Sequence, residues 1–140
     1  MTDLQFRILG GIHRRLYRLT GGKIGGRIGR LPVLLLTTTG RKSGQPRTQP
    51  LGYTKAGDGF AVIGSKGGAP QHPLWYLNLR AHPLADVTVG RESRRVRARD
   101  AEGEERDRLW RALADLHPGY DGYARKTTRQ IPVVVLDVVP

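Results

Sequence analysis

Leu4, Ile8, Ile12, Leu16 and Leu19 recur every three or four positions, with Arg7, Arg14, Arg15 and Arg18 on other faces, so the chain opens on an amphipathic basic helix. The run GGKIGGRIG at 21–29 is too rich in glycine to continue that helix and reads as a flexible connector. Residues 1–30 are thereby set apart from one globular domain over residues 31–140. From Leu31 onward the pattern shortens to β-compatible runs at 33–39, 49–55, 60–65, 86–89, 94–99 and 133–139, broken mostly by glycine, proline or charge. Two helices interrupt these strands. The first, at 73–81, has Pro73 in its first turn and Pro83 just beyond its end. The second, at 102–116, is acidic at its start and aligns Leu109, Leu113 and Leu116 beside Trp110 as a buried stripe. About six strands at this spacing, with few helices, predict an α+β fold built on a small, mainly antiparallel β-barrel rather than βαβ units.

Composition narrows the partners. A chain of 140 residues that is 38% hydrophobic buries one core, and its 24 Lys and Arg against 12 Asp and Glu give a formal charge of +12. Such a field favours anions: nucleic acid, acidic lipid, or a ligand carrying phosphate or carboxylate. The first 30 residues hold seven basic side chains and one acid, Asp3. Their helix has two readings, one packed on the core with a solvated face and one resting on an anionic membrane surface. With no cysteine there is neither a disulfide framework nor a thiolate ligand, and His13, His72, His82 and His117 show no metal-ligand spacing. No long apolar run or secretory signal is present, so a cytoplasmic protein is expected, with peripheral contact at the inner face of the cell membrane left to residues 1–30.

The candidate chemistry lies in two glycine loops. The string TTTGRKSGQPRTQPL at 37–51 is not a P-loop, because Arg41 separates Gly40 from Lys42 and position 35 is leucine. Gly40 and Gly44 still permit turns that aim N–H groups at one point, and Arg41, Lys42 and Arg47 add charge, so an oxyanion would fit. Alone, such a loop is as well explained as a solvated hairpin. The second string, IGSKGGAPQHPLWYLN at 63–78, runs from strand through loop to helix, with Lys66 at the turn and a helix N-terminus behind it. Trp75 and Tyr76 read either as core aromatics or as walls for a planar ring. Arg91, Arg94, Arg95, Arg97 and Arg99 suggest nucleic acid, but no row of stacking aromatics accompanies them, and no nucleic-acid partner is expected.

Together, TTTGRKSGQPRTQPLGY, GSKGGAPQHPLWYLNL, a tyrosine-bearing helix and a final RQIPVVVLDV strand resemble the deazaflavin-dependent nitroreductase family over about residues 32–139. The resemblance implies a split β-barrel that binds coenzyme F420, a deazaflavin with a phosphodiester and an oligoglutamate tail. By that resemblance Arg41, Lys42, Ser43 and Arg47 hold the phosphate and tail, with Lys66 adding charge. Thr48, Gln49, Pro50 and Leu51, and Ile63, Gly64, Ser65 and Lys66, line the ring through backbone groups. Pro73, Leu74, Trp75, Tyr76, Leu77 and Asn78 close the pocket. Tyr120, Tyr123 and Ser65 sit on the substrate side, Tyr120 also touching the coenzyme, and His117 stands where relatives carry a further tyrosine. The implied activity is hydride transfer from reduced F420 to a quinone, an activated alkene or a nitroaromatic, by a monomer or homodimer. The alternatives are an F420 carrier without turnover, a membrane-peripheral binding protein, or an FMN-binding barrel.

Overall fold

The structure is a computed structural model that describes residues 27–140. Its elements are β1 (Arg27–Ile28), β2 (Leu31–Thr39), β3 (Pro46–Gly52), β4 (Thr54–Ala56), β5 (Gly59–Ile63), α1 (Leu74–Ala81), β6 (Leu84–Val89), β7 (Glu92–Asp100), α2 (Gly103–Leu116), α3 (Gly119–Lys126) and β8 (Val133–Val138). A 3-10 turn at Lys66–Gly68 precedes α1. The eight strands form one antiparallel sheet in the order β1-β2-β6-β7-β8-β5-β4, with β3 also paired to β2. No described pairing joins β3 to β4 or β5, so the predicted barrel is a split one whose ladder stays open.

The strand expected over 49–55 is two strands, because the chain changes partner at Tyr53. Up to Gly52 it pairs with β2, the Tyr53 N–H donates to the Pro32 carbonyl at 3.0 Å, and from Thr54 it pairs with β5. Gly52 is needed at this corner, since a Cβ there would run into the Leu31 side chain. The connector expected through Gly29 also ends early. Arg27 and Ile28 pair with Pro32 and Leu31 across a tight turn in which Gly29 has φ 60, a left-handed conformation that suits glycine. The basic helix expected before it lies outside the described residues.

Period-two alternation divides the core between the two faces of the sheet. Leu34 and Leu36 of β2, Phe60 and Val62 of β5, and Val134 and Leu136 of β8 pack with Trp75, Tyr76 and Leu79 of α1. Ala61 and Ile63, with Val133 and Val135, face the other way onto Leu109 and Leu113 of α2 and Tyr120 of α3. Strand β5 is buried at every position, which is why it reads as a continuous apolar run rather than an alternating one.

That close packing makes Gly59 a sensitive position. A Cβ at Gly59 would strike the Leu136 carbonyl oxygen on β8, where backbone and not a flexible side chain must move. Gly59→Ala is expected to lower the unfolding free energy by about 3 kcal/mol, read as a shift in urea midpoint. Gly57→Ala, with φ 58 and open space around it, serves as the control and should cost only about 1 kcal/mol of backbone strain.

Candidate functional site

The first glycine loop joins β2 to β3, and its backbone is turned inward. Gly40 N–H donates to the Gln45 carbonyl and Gly44 N–H to the Gly40 carbonyl, both at 2.8 Å. Gln45 N–H donates to Ser43 Oγ at 3.1 Å, and Arg41 N–H to Asn78 Oδ1 at 3.0 Å. Those four donors serve the hairpin and α1, which leaves the Lys42 and Ser43 amides at the tip to face an anion. Beside them the loop presents side-chain charge. Arg41, Lys42 and Arg47 are all exposed, and Arg47 Nη2 is held 3.3 Å from Ser43 Oγ. Gly40 is required for this shape, since a Cβ there would lie 2.6 Å from Ser43 Oγ.

Asn78 fastens the loop to α1. The side chain is buried; its oxygen accepts from Arg41, and its nitrogen donates to Thr38 Oγ1 at 3.1 Å. Its role in the described residues is to hold the loop rather than to face outward. Along β3, the register places Arg47, Gln49 and Leu51 opposite Thr38, Leu36 and Leu34, on the α1 side of the sheet. Thr48 and Pro50 lie on the other side, where the Thr48 and Thr37 hydroxyls are 2.7 Å apart.

The second glycine loop has the opposite character. Strand β5 ends at Ile63, and Gly64 N–H donates to the Pro132 carbonyl at 2.9 Å. Gly64 is wedged between Pro132 and Pro73, and a Cβ there would lie 2.9 and 3.6 Å from their rings. Ser65 is right-handed (φ −77, ψ −37), whereas Lys66, Gly67 and Gly68 are left-handed, with φ 45, 64 and 84. A right-handed residue followed by a left-handed one turns successive N–H groups toward a common point, forming a concavity that receives an anion or electron-rich oxygen.

Behind this turn stands Arg129. Its Nη2 donates to the Gly64 and Ser65 carbonyls at 3.2 and 2.8 Å, its Nε to the Ala69 carbonyl at 2.9 Å, and its Nη1 lies 3.1 Å from His72 Nδ1. In the sequence Arg129 stands only as the first residue of the final RQIPVVVLDV stretch, with no role assigned to it. Its signal is tertiary, because β5 and β8 pair with Ile63 opposite Val133.

The tyrosines of α3 lie at the adjoining end of β3. Tyr120 is buried, and its hydroxyl is 3.2 Å from where a Cβ on Gly52 would stand. Burial, helped by Tyr123, pushes the Tyr120 phenol up to about 12, so it remains a protonated donor near neutral pH. The His117 ring meets Tyr120 edge-on at 5.0 Å and Tyr123 at 6.1 Å, making one aromatic cluster. Gly68 touches the same helix, since a Cβ there would be 2.8 Å from the Tyr123 carbonyl. Ser65, the third hydroxyl of the predicted set, is buried in the second loop. Trp75 and Tyr76 are 5% and 4% exposed in the inner core, and Tyr76 Oη donates to Asp100 at 2.9 Å. Of the two roles the sequence left open for them, their packing is that of core aromatics. Leu74, 56% exposed, and half-buried Leu77 are the α1 residues of the predicted set with surface to offer.

The arginine stripe of β7 is largely matched by acids. Arg95 faces Asp86 at 3.4 Å, and Arg99 binds Asp137 at 2.8 Å and Glu105 at 2.6 Å, while Arg97 stands directly across from Asp137. Among the described residues no cluster of His, Cys, Asp or Glu is arranged to hold a metal, and no helix is long and apolar enough to cross a membrane.

The F420H(2)-dependent quinone reductase family model matches residues 10–138 of this sequence. The chain belongs to that family. An F420H(2)-dependent quinone reductase of Mycobacterium tuberculosis (strain H37Rv) is 43% identical over 129 residues, covering 89% of this chain and 87% of that protein. A solved F420-H2 dependent reductase superposes with a TM-score of 0.70 at 41% identity, over 76% of this chain and 94% of its own. A second solved chain, described as a domain-swapped dimer, has a TM-score of 0.72 at 37% identity, over 90% and 96%. As a member of an F420H2-dependent oxidoreductase family, the protein carries a donor set that fits a polyanionic deazaflavin. Exposed cations on the first loop suit an acidic tail, and the amide concavity of the second suits an electron-rich oxygen.

The His72 contact fixes a protonation state. A guanidinium only donates, so His72 Nδ1 accepts and the imidazole is neutral, with its proton on Nε2. Burial holds its pKa below the usual 6.5, reinforced by Arg129 and Arg80 and opposed by Asp100, beside the Tyr76 ring at 4.7 Å. The unfolded chain thus takes up a proton first as pH falls. Stability owed to His72 should be complete above about pH 6.5, decline below it, and level off beneath the folded pKa. Urea midpoints of the native protein and His72→Gln, compared between pH 7.5 and 5, check this: the native protein should lose more.

Proposed function

We propose that this protein is an F420H2-dependent reductase that passes a hydride to a quinone, with activated alkenes and nitroaromatics as further acceptors. The observation that carries it is the pairing of two unlike loops along one short helix. Gly64 of the second loop abuts Pro73, Asn78 holds the first loop, and the five intervening steps of α1 amount to about 7.5 Å of rise. An extended ligand that is electron-rich at one end and polyanionic along its tail matches that arrangement. In this reading Arg41, Lys42 and Arg47 hold the phosphate and tail, with Ser43 bracing Arg47. Ser65 and Lys66 receive the ring edge through their amides, while Leu74, Leu77 and the β3 backbone from Thr48 to Leu51 border it.

Bound reduced F420 supplies the hydride. The protein's share is to place an acceptor against the ring, keep water away and stabilise negative charge as it develops on the acceptor oxygen. Tyr120 suits the last task, because a phenol held protonated donates a hydrogen bond without losing its proton. Tyr123 and His117 pack in one aromatic cluster with Tyr120, and their rings suit a planar quinone. The relative described as a domain-swapped dimer makes a homodimer the assembly to look for.

Steady-state oxidation of reduced F420 with a panel of quinones, enones and nitroaromatics tests the activity. Turnover with quinones above the protein-free rate is expected, and a protein that binds F420 but oxidises it with no acceptor is a carrier. The loop assignment has its own measure. Lys42→Ala and Arg47→Ala should weaken F420 binding about threefold each at low salt, corresponding to exposed pairs worth under 1 kcal/mol. That loss should grow with the number of glutamates in the tail and shrink as salt is added. Equal losses for short and long tails would remove the tail from this loop.

A further inference from the structure

We propose that Arg129 is a positioning residue that presets the Ser65 and Lys66 amides for the coenzyme before it binds. The inference rests on the F420 reading above and adds the device that shapes its ring-edge site. In a trans peptide the carbonyl and the N–H of the next residue point in opposite directions, and the described chain has no cis peptide. Arg129 draws the carbonyls of Gly64 and Ser65 to its own side. The N–H groups of Ser65 and Lys66 must therefore point away from it, into the concavity of the turn.

This geometry needs an external restraint. Lys66 is left-handed without being glycine, a conformation that is strained for an L side chain and persists only where the surroundings impose it. The turn's own bonds, Gly68 N–H to Ser65 and Ala69 N–H to Lys66, close it but do not orient it. Orientation comes from two sides. Arg129 spans three carbonyls of the loop with a rigid planar fork, and the Tyr123 backbone and Lys126 Cβ of α3 press on Gly68, where a side chain would not fit. Neutral His72 steadies the remaining arm of the guanidinium. A loop set in advance spares the ligand the ordering cost on binding, so the effect belongs in coenzyme affinity. Lysine, a single point charge on a flexible stem, lacks the fork needed to hold the same three carbonyls.

Fluorescence titration of F420 against the native protein, Arg129→Ala and Arg129→Lys tests this, with F420 species of short and long tail. Both variants should bind about tenfold more weakly, the loss typical of removing a charge-assisted hydrogen bond. The loss should be independent of tail length, unlike that of Lys42→Ala, because Arg129 acts at the ring end. Ethylguanidinium should restore part of the affinity in Arg129→Ala and leave the native protein unchanged. In turnover, KM for the coenzyme should rise more than kcat falls. Should both variants fail to fold, amide hydrogen exchange in the native protein decides the matter: Ser65 and Lys66 amides should gain protection when F420 binds. Native affinity in a folded Arg129→Ala, a loss that scales with tail length, or unchanged exchange at both amides would overturn the proposal. If the native protein itself binds no F420, the functional reading falls and takes this inference with it; native binding with unaffected variants overturns this inference alone.

Discussion

The antiparallel pairing of β5 with β8, in which Ile63 lies opposite Val133, is the constraint from which most of the molecule follows. Both strands are buried on both faces, so a shift of one residue would exchange the two core layers and misplace every helix contact. The same register decides what lies at the strand ends. Gly64 follows Ile63 and meets the Pro132 carbonyl, and Arg129, four residues before Val133, arrives beneath the second glycine loop. Core packing and loop chemistry are thereby one arrangement, since side chains that fix the register also deliver the guanidinium.

The two glycine loops offer a ligand physically different things. The first uses four of its amides within the hairpin and toward α1 and offers long, exposed cations, which attract a charged chain from a distance but impose little geometry. The second is compact, partly buried and directional, and its contribution is oriented backbone dipoles at short range. Helix α1 sets the spacing between them, with Pro73 against one loop and Asn78 bonded to the other. A coenzyme with a rigid ring and a flexible acidic tail calls for this combination, fixed at one end and tolerant at the other.

Net charge alone is a poor guide to where binding occurs. Arg95, Arg97 and Arg99 make β7 the most basic strand in the sequence, yet Asp86, Asp137 and Glu105 face them, and the stripe ties β7 to its neighbours β6 and β8 and to α2 instead of advertising a ligand. The cations that matter for an anion are those without an acid opposite. Among the described residues these include Arg41 and Lys42 at the hairpin tip, whose neighbours are glycine, serine and threonine.

The sequence by itself determined the class of fold, the helices α1 and α2 to within a residue, and the places of both glycine loops between their strands and helix. These are local matters, set by hydrophobic period, by proline and glycine at element ends, and by short motifs. It also located Tyr120 and Tyr123 on one helix, while leaving Trp75 and Tyr76 between core and ligand because an aromatic pair carries no mark of which it serves. Tertiary structure decided the rest. The change of partner at Tyr53 split one expected strand into two, because only the sheet shows which edge the chain pairs with next. The Arg41 amide of the first loop turned inward because Asn78, thirty-seven residues away, was there to receive it. Arg129 came under the second loop from across a strand pairing, sixty-four residues from Ser65. Backbone hydrogen bonds are directional and must all find partners, so which loop is free to face a ligand depends on contacts that no local pattern contains.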